Sequence, residues 1–277
     1  MRAESALNRS TRRIESAFAR IKAENRTGFV AFLTVGYPDV ESTLRFVPAL
    51  VEGGADIIEL GIPFSDPLAE GPTIQQSSYY ALKQGVTPRI CLDVAAKLRQ
   101  LGIEAALVPM GYYNPILAYG LEAFVNDASY AGVDGLIVVD LPPEESAPVR
   151  EACLANDIRL IYLLAPTSTE ERIKLVASMA SGFIYCVSVT GVTGARDELA
   201  PGLQSFVERV RNHTHLPIAV GFGISQPKHF RAVGQMADAA VIGSAIIDEI
   251  DKSDPSQQAA RLREYAEVVT GQRRAAT

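Results

Sequence analysis

Eight short apolar runs, each followed by a longer stretch with helical periodicity, constrain this chain most. The runs are Phe29–Thr34, Ile57–Leu60, Ala105–Pro109, Gly135–Val139, Arg159–Leu164, Phe183–Val187, Ile218–Val220 and Ala239–Ile242. Their apolarity is nearly continuous rather than alternating, which suits strands buried on both faces of a parallel sheet. Between them, Val40–Gly53 places Val40, Leu44, Val47 and Val51 on one helical stripe. Thr87–Gly102 does the same with Ile90, Val94, Ala95 and Leu98. Asp39 and Thr87 are suited to open these helices, and Gly53 and Gly102 to close them. Pro48 interrupts the first stripe and predicts a kink or a broken turn. Eight strands alternating with helices in 277 residues point to the α/β class. The expected fold is a (β/α)8 TIM barrel, one domain over residues 1–277. An open doubly wound sheet is the runner-up, weakened because no GxGxxG follows the first strand. The first 20 or so residues read as an extra N-terminal helix, and the residues after Thr270 as a frayed tail.

Composition narrows the function. Hydrophobic residues make up 48% of the chain, enough for a large core, and charged residues 21%. The net charge of -6 argues against a general nucleic-acid or membrane-surface binder. It leaves a phosphorylated small molecule open, since a few local donors suffice for one phosphate. Cys91, Cys153 and Cys186 form no CxxC pair and read as buried reduced thiols. The N-terminal residues lack an apolar signal core, and no run of about 18 apolar residues occurs. The expectation is a soluble cytoplasmic protein.

In a barrel of this kind the active site lies at the C-terminal strand ends, so the segments after the strands carry the chemistry. The second strand ends on Glu59, and a Gly/Pro-rich loop with Asp66 and Glu70 follows. A carboxylate at the end of a buried strand is costly to desolvate, which makes Glu59 the candidate general acid/base with a raised pKa. Asp66 and Glu70, taken alone, fit a solvated loop as well as a site. Gly223 and Gly243-Ser244 end the seventh and eighth strands just before helices. Backbone N–H groups there either cradle a phosphate or only make tight turns; Gly191–Gly194 adds further donors. Phe32, Tyr112, Tyr185 and Phe222 fall in or just after strands, where they line a pocket for a flat apolar substrate or simply pack the core. His213, His215 and His229 lie away from these loops, which disfavours a His triad or a His-rich metal site. The acids Glu59, Asp66, Glu70 and Asp140 have the chemistry for Mg²⁺, but aromatic surroundings suit a planar substrate better.

These segments resemble the α subunit of tryptophan synthase over nearly the whole chain. The matching motifs are Leu60–Pro67 with Gly71–Gln75, Tyr112–Pro115, Asp140-Leu-Pro, Gly191–Gly194, Gly221–Ser225 and Gly243-Ser-Ala. The resemblance implies cleavage of indole-3-glycerol phosphate to indole and glyceraldehyde 3-phosphate, with no cofactor of its own and no metal. It implies a β-subunit partner that takes the indole, usually in an αββα assembly. It implies Glu59 as the acid that protonates indole C3 and accepts the glycerol hydroxyl proton, with Tyr185 beside it. Phe32, Tyr112 and Phe222 would pack the indole, and Thr193 would lie in a loop over the site. Gly194, Gly223, Gly243 and Ser244 would hold the phosphate, and Asp66, Pro67 and Asn114 would meet the β partner.

One position departs from the family pattern. Where the family carries an aspartate that accepts the indole N–H, this chain has Glu70. Its carboxylate is displaced by about one C–C bond, and a shift near 1 Å costs on the order of 100-fold in rate when uncompensated. A lesser difference is Gly111, where many relatives carry a larger residue. Two further readings therefore stand beside an α subunit: a stand-alone indole-releasing lyase, and a weakly active chain that serves mainly to activate β.

Overall fold

Eight parallel strands close into a barrel in which each pairs with its sequence neighbours and the eighth returns to the first. They are β1 Gly28–Thr34, β2 Ile57–Gly61, β3 Ala106–Gly111, β4 Gly135–Val138, β5 Arg159–Leu164, β6 Ile184–Val187, β7 Ile218–Gly221 and β8 Ala239–Ile242. The computed structural model describes residues 12–188, 201–221 and 223–272. The expected (β/α)8 barrel is therefore the fold, and each predicted strand matches an observed one to within a residue or two at its ends.

Inward and outward residues alternate along each strand. Outward residues such as Ala31, Leu33, Ile58 and Leu60 join Phe46, Leu50, Leu98 and other helix residues in the large shell between sheet and helices. Inward residues, among them Val30, Phe32, Ile57, Val108, Phe183 and Tyr185, form a second cluster inside the barrel. Both faces are apolar, which is why the strands read as unbroken apolar runs.

The helix Arg13–Ala23 plugs the N-terminal end of the barrel. Ile14, Ala17, Phe18 and Ile21 lie on its buried stripe and join the interior cluster. The Phe18 and Phe183 rings sit 5.7 Å apart. This is the predicted N-terminal helix, and its role is to seal one end so that only the other end is open to ligand.

Helix boundaries follow local chemistry. Asp39 accepts the Ser42 N–H at 2.6 Å to cap Val40–Glu52, and Thr87 accepts the Ile90 N–H to cap Pro88–Gln100. The helix Val40–Glu52 runs continuously through Pro48, so the expected broken turn does not occur. Packing of Phe46, Val47 and Leu50 in the shell offsets the hydrogen bond that proline cannot make.

Carboxylates at the two ends of the barrel meet opposite fates. At the closed end, Asp56, Asp134 and Asp238 each stand just before an even-numbered strand. Each accepts the N–H of a residue at the start of the preceding strand: Phe29 at 3.0 Å, Leu107 at 2.8 Å and Ile218 at 2.7 Å. Each also pairs with arginine: Asp56 with Arg20 and Arg26, Asp134 with Arg13 and Arg99, Asp238 with Arg211. These acids tie neighbouring strands together. At the open end, Glu59 has no such partners among the described residues.

Candidate active site

Glu59 occupies an inward place on β2, two residues after the interior Ile57, with Phe32 on β1 and Val108 on β3 as its register partners. It is fully buried, and neither carboxylate oxygen has a hydrogen-bond partner among the described residues. A buried, unpartnered carboxyl keeps its proton: burial first, and the Glu70 charge second, push Glu59 up to about 8. Structural acids are paired, as the closed end of this barrel shows; an unpaired one at the open end is poised for a ligand's protons.

Glu70 comes to the same cavity from the loop between β2 and the helix Pro72–Lys83. It is 7% exposed, and burial lifts it to about 7. The sequence alone left Glu70 between a solvated loop and a site; the fold buries it. Asp66, four residues earlier, is exposed and accepts the Ser65 hydroxyl.

Around these acids lies a cavity of roughly 400 Å³, lined by Phe32, Ile74, Met110, Tyr185, Gly223, Ile224, Val241, Gly243 and Ser244. Tyr185 stands inward on β6, and burial followed by the charges of Glu59 and Glu70 holds its hydroxyl firmly protonated. Tyr112 lines an adjoining lobe of about 290 Å³ that shares Phe32, Glu70, Ile74 and Met110 with the first. Its hydroxyl accepts the Ala69 N–H at 3.0 Å, and its ring lies 5.1 Å from Phe64. The walls are apolar and aromatic, with the acids on one side, a lining suited to a flat ring bearing one polar N–H.

Beside Phe32, Gly243 follows β8 and Ser244 starts the helix Ser244–Lys252. The first N–H groups of a helix lack intrahelical partners and carry its positive dipole end, so this corner favours an anion. A Cβ at Gly243 would come within 3.2 Å of Phe32, and Gly223 has φ +75. Gly223 needs glycine for its backbone conformation, and at Gly243 a side chain would crowd the Phe32 ring.

The structure thus brings Glu59, Glu70, Tyr185, Phe32, Gly223, Gly243 and Ser244 to one cavity, with Tyr112 at its side. Asp66 and Asn114 are exposed outside that cavity, and the half-buried Pro67 lines the adjoining lobe beside Tyr112. Thr193, Gly194 and Phe222 lie outside the described residues. Asp140 accepts the Tyr113 N–H at 2.8 Å, which gives it a local structural partner. Ile74, Met110, Ile224 and Val241 were missed as lining residues. Met110 and Val241 could have been found from their places in the inward series of β3 and β8; Ile74 and Ile224 come from segments whose approach only the fold fixes. All three cysteines are buried thiols, as expected.

No described helix is long and apolar enough to cross a membrane.

Comparison with known proteins agrees with the geometry. Residues 18–275 match the sequence model of the family described as tryptophan synthase alpha chain. The tryptophan synthase alpha chain of Roseiflexus castenholzii is 51% identical over 259 residues, covering 94% of this chain and 99% of its own. That of Dehalococcoides mccartyi is 52% identical over 244 residues, covering 88% and 93%. Among solved structures, Mycobacterium tuberculosis tryptophan synthase superposes with TM-score 0.86 at 34% identity, covering 95% of this chain and 98% of that one. The Legionella pneumophila alpha chain gives 0.84 at 34%, covering 95% and 99%. The chain belongs to the tryptophan synthase alpha chain family.

Proposed function

We propose that Glu59, Glu70 and Tyr185 carry the retro-aldol cleavage of indole-3-glycerol phosphate, the lyase reaction of this family, and that the glycines after β7 and β8 hold the phosphate. The observation that carries this reading is the Glu59 carboxyl: fully buried, without a hydrogen-bond partner among the described residues, and pushed up by that burial to about 8.

The steps balance as follows. Protonated Glu59 gives its proton to indole C3, and positive charge appears on the ring at N1. Glu70, as carboxylate, accepts the N1–H and stabilises that charge in a site shielded from water. Glu59, now a carboxylate, takes the proton of the glycerol hydroxyl on the carbon attached to C3. The C–C bond breaks, its electron pair returns to the ring and neutralises N1, and an aldehyde forms on the departing fragment. Glu59 ends protonated, ready for another cycle. Tyr185 and Phe32 hold the ring plane. Gly223, Gly243 and Ser244, with Gly194, offer N–H groups to the phosphate. The family resemblance alone assigns Phe222 to packing the indole and Thr193 to the loop over the site; both lie outside the described residues.

The product indole passes to a β subunit in an α2β2 assembly in the cytoplasm, with Asp66, Pro67 and Asn114 at the contact. The exposure of Asp66 and Asn114 at the rim of the open end, and of Leu68 between them at 90%, supports that placement. The test is steady-state cleavage of indole-3-glycerol phosphate by the purified chain, with and without β. Slow turnover alone that rises strongly with β supports the assignment. Fast turnover alone would make the chain a stand-alone lyase, and none in either condition would leave it an activator of β.

A further inference from the structure

Glu70 sits on an irregular loop, yet its backbone is tied on both sides. Its N–H donates to the Pro67 carbonyl at 3.0 Å within the loop. The preceding N–H, of Ala69, donates to Tyr112 Oη. Its own carbonyl accepts from Gln75 Nε2 at 2.9 Å, and the same nitrogen reaches the Pro67 carbonyl at 3.4 Å. Farther back, Ser78 Oγ accepts the Phe64 N–H at 2.9 Å and donates to the Phe64 carbonyl at 3.1 Å, which anchors the start of the loop.

Gln75 stands out among these ties. It is exposed on the first turn of Pro72–Lys83, lines neither lobe of the cavity, and touches no reacting atom. Long helical side chains lean toward the helix N-terminus, which is how Gln75 reaches back to residues 67 and 70. A free glutamine on a surface helix would keep its rotamers and bond to water; holding one rotamer against the loop costs conformational entropy. The bond lands on the carbonyl of the loop residue whose carboxyl stands in the cavity beside Glu59.

We propose that Gln75 is a positioning residue for Glu70: by fixing the Glu70 carbonyl it sets where the carboxylate meets the substrate ring. The inference rests on Glu70 acting on the substrate as described above, and the experiment separates the two.

The test is turnover of the full chain without β. Gln75→Met keeps length and bulk but removes both donors, and at an exposed site it leaves the barrel folded. The expected result is a fall in kcat of about 10-fold, a fraction of what a 1 Å misplacement costs, with KM changed by less than about twofold. The alkaline limb of the kcat–pH profile should also move to lower pH, because a Glu70 charge held less closely to Glu59 raises that acid less. A purely structural role would not move that limb. In the double variant Glu70→Gln/Gln75→Met, kcat should equal that of Glu70→Gln alone. An unchanged kcat and pH profile in Gln75→Met, or full additivity in the double variant, would overturn the inference while leaving Glu70 in place. Near-normal turnover in Glu70→Gln would instead overturn the reading of Glu70 on which it stands.

Discussion

The Tyr185 hydroxyl fills the space that a side chain at Gly221 would need: a Cβ there would lie 2.1 Å from Oη. In the strand register Tyr185 pairs with Ala219, and Gly221 with Val187, so the tyrosine leans two residues along its neighbour toward the cavity. Gly221→Ala is expected to push the ring out of place while the barrel still closes. Turnover should fall by about 10- to 100-fold, the scale of an ångström-sized misplacement. Steady-state kinetics beside circular dichroism would check this; full activity would mean that the position of Tyr185 is not critical.

The two acids predict the pH profile. In the proposed mechanism, cleavage needs Glu59 protonated and Glu70 ionised. With Glu70 near 7 and Glu59 near 8, kcat/KM should trace a bell with its maximum between about 7 and 8, and the two limbs belong to the coupled pair rather than to either acid. A profile flat from pH 6 to 9 would exclude this assignment of roles.

Glu59→Gln separates catalysis from stability. Activity should drop by at least about 10³-fold, within the range of general acid–base contributions. Stability should move the other way. The folded state holds the Glu59 proton more tightly than the unfolded chain, so the stability tied to that proton is present below the ordinary carboxyl range and lost as pH rises toward about 8. Glutamine cannot ionise. Thermal melts should therefore show the variant above the parent at pH 9 and close to it at pH 4. A variant less stable at pH 9 would contradict the buried, unpaired description of Glu59.

Glu70 stands on a loop held by hydrogen bonds on both sides of it. Its backbone is tied by Pro67, Tyr112 and Gln75, so shortening the side chain withdraws the carboxylate without letting the loop follow. Glu70→Asp should lower kcat by about 10-fold, again on the misplacement scale. Equal or higher activity, measured as indole release, would show that the loop adjusts freely.

At the closed end, Asp134→Ala should unfold the barrel more readily by about 3–5 kcal/mol, because it leaves the largely buried Arg99 without its charge partner and the Leu107 N–H without an acceptor. Denaturant titration measures this. The substrate KM of the folded fraction should stay unchanged, since Asp134 is at the end of the barrel away from the cavity.

Much was legible in the sequence because local chemistry wrote it there. Nearly continuous apolar runs of three to six residues identify strands covered on both faces, and their number and spacing leave few alternatives to a closed barrel. Asp39 and Thr87 marked helix starts because a side-chain acceptor for an orphan N–H is a matter of three neighbouring residues. Glu59 was legible because a lone carboxyl at the end of an apolar strand has no local reason to be there.

Tertiary structure alone decided the rest, because those properties depend on what arrives from distant segments. Glu70 and Asp66 look alike in sequence; one is buried in the cavity beside Glu59 and the other is in water, on a loop that hydrogen-bonds to Tyr112 and Gln75. The Glu59 environment, with no partner for either oxygen among the described residues, exists only once eight strands converge around it. The need for glycine at 221 arises from a tyrosine 36 residues earlier in the chain, a steric relation that no local pattern records. Sequence determined which groups stand at the strand ends; packing determined which are dried, which are paired, and so which of them can exchange a proton near neutral pH.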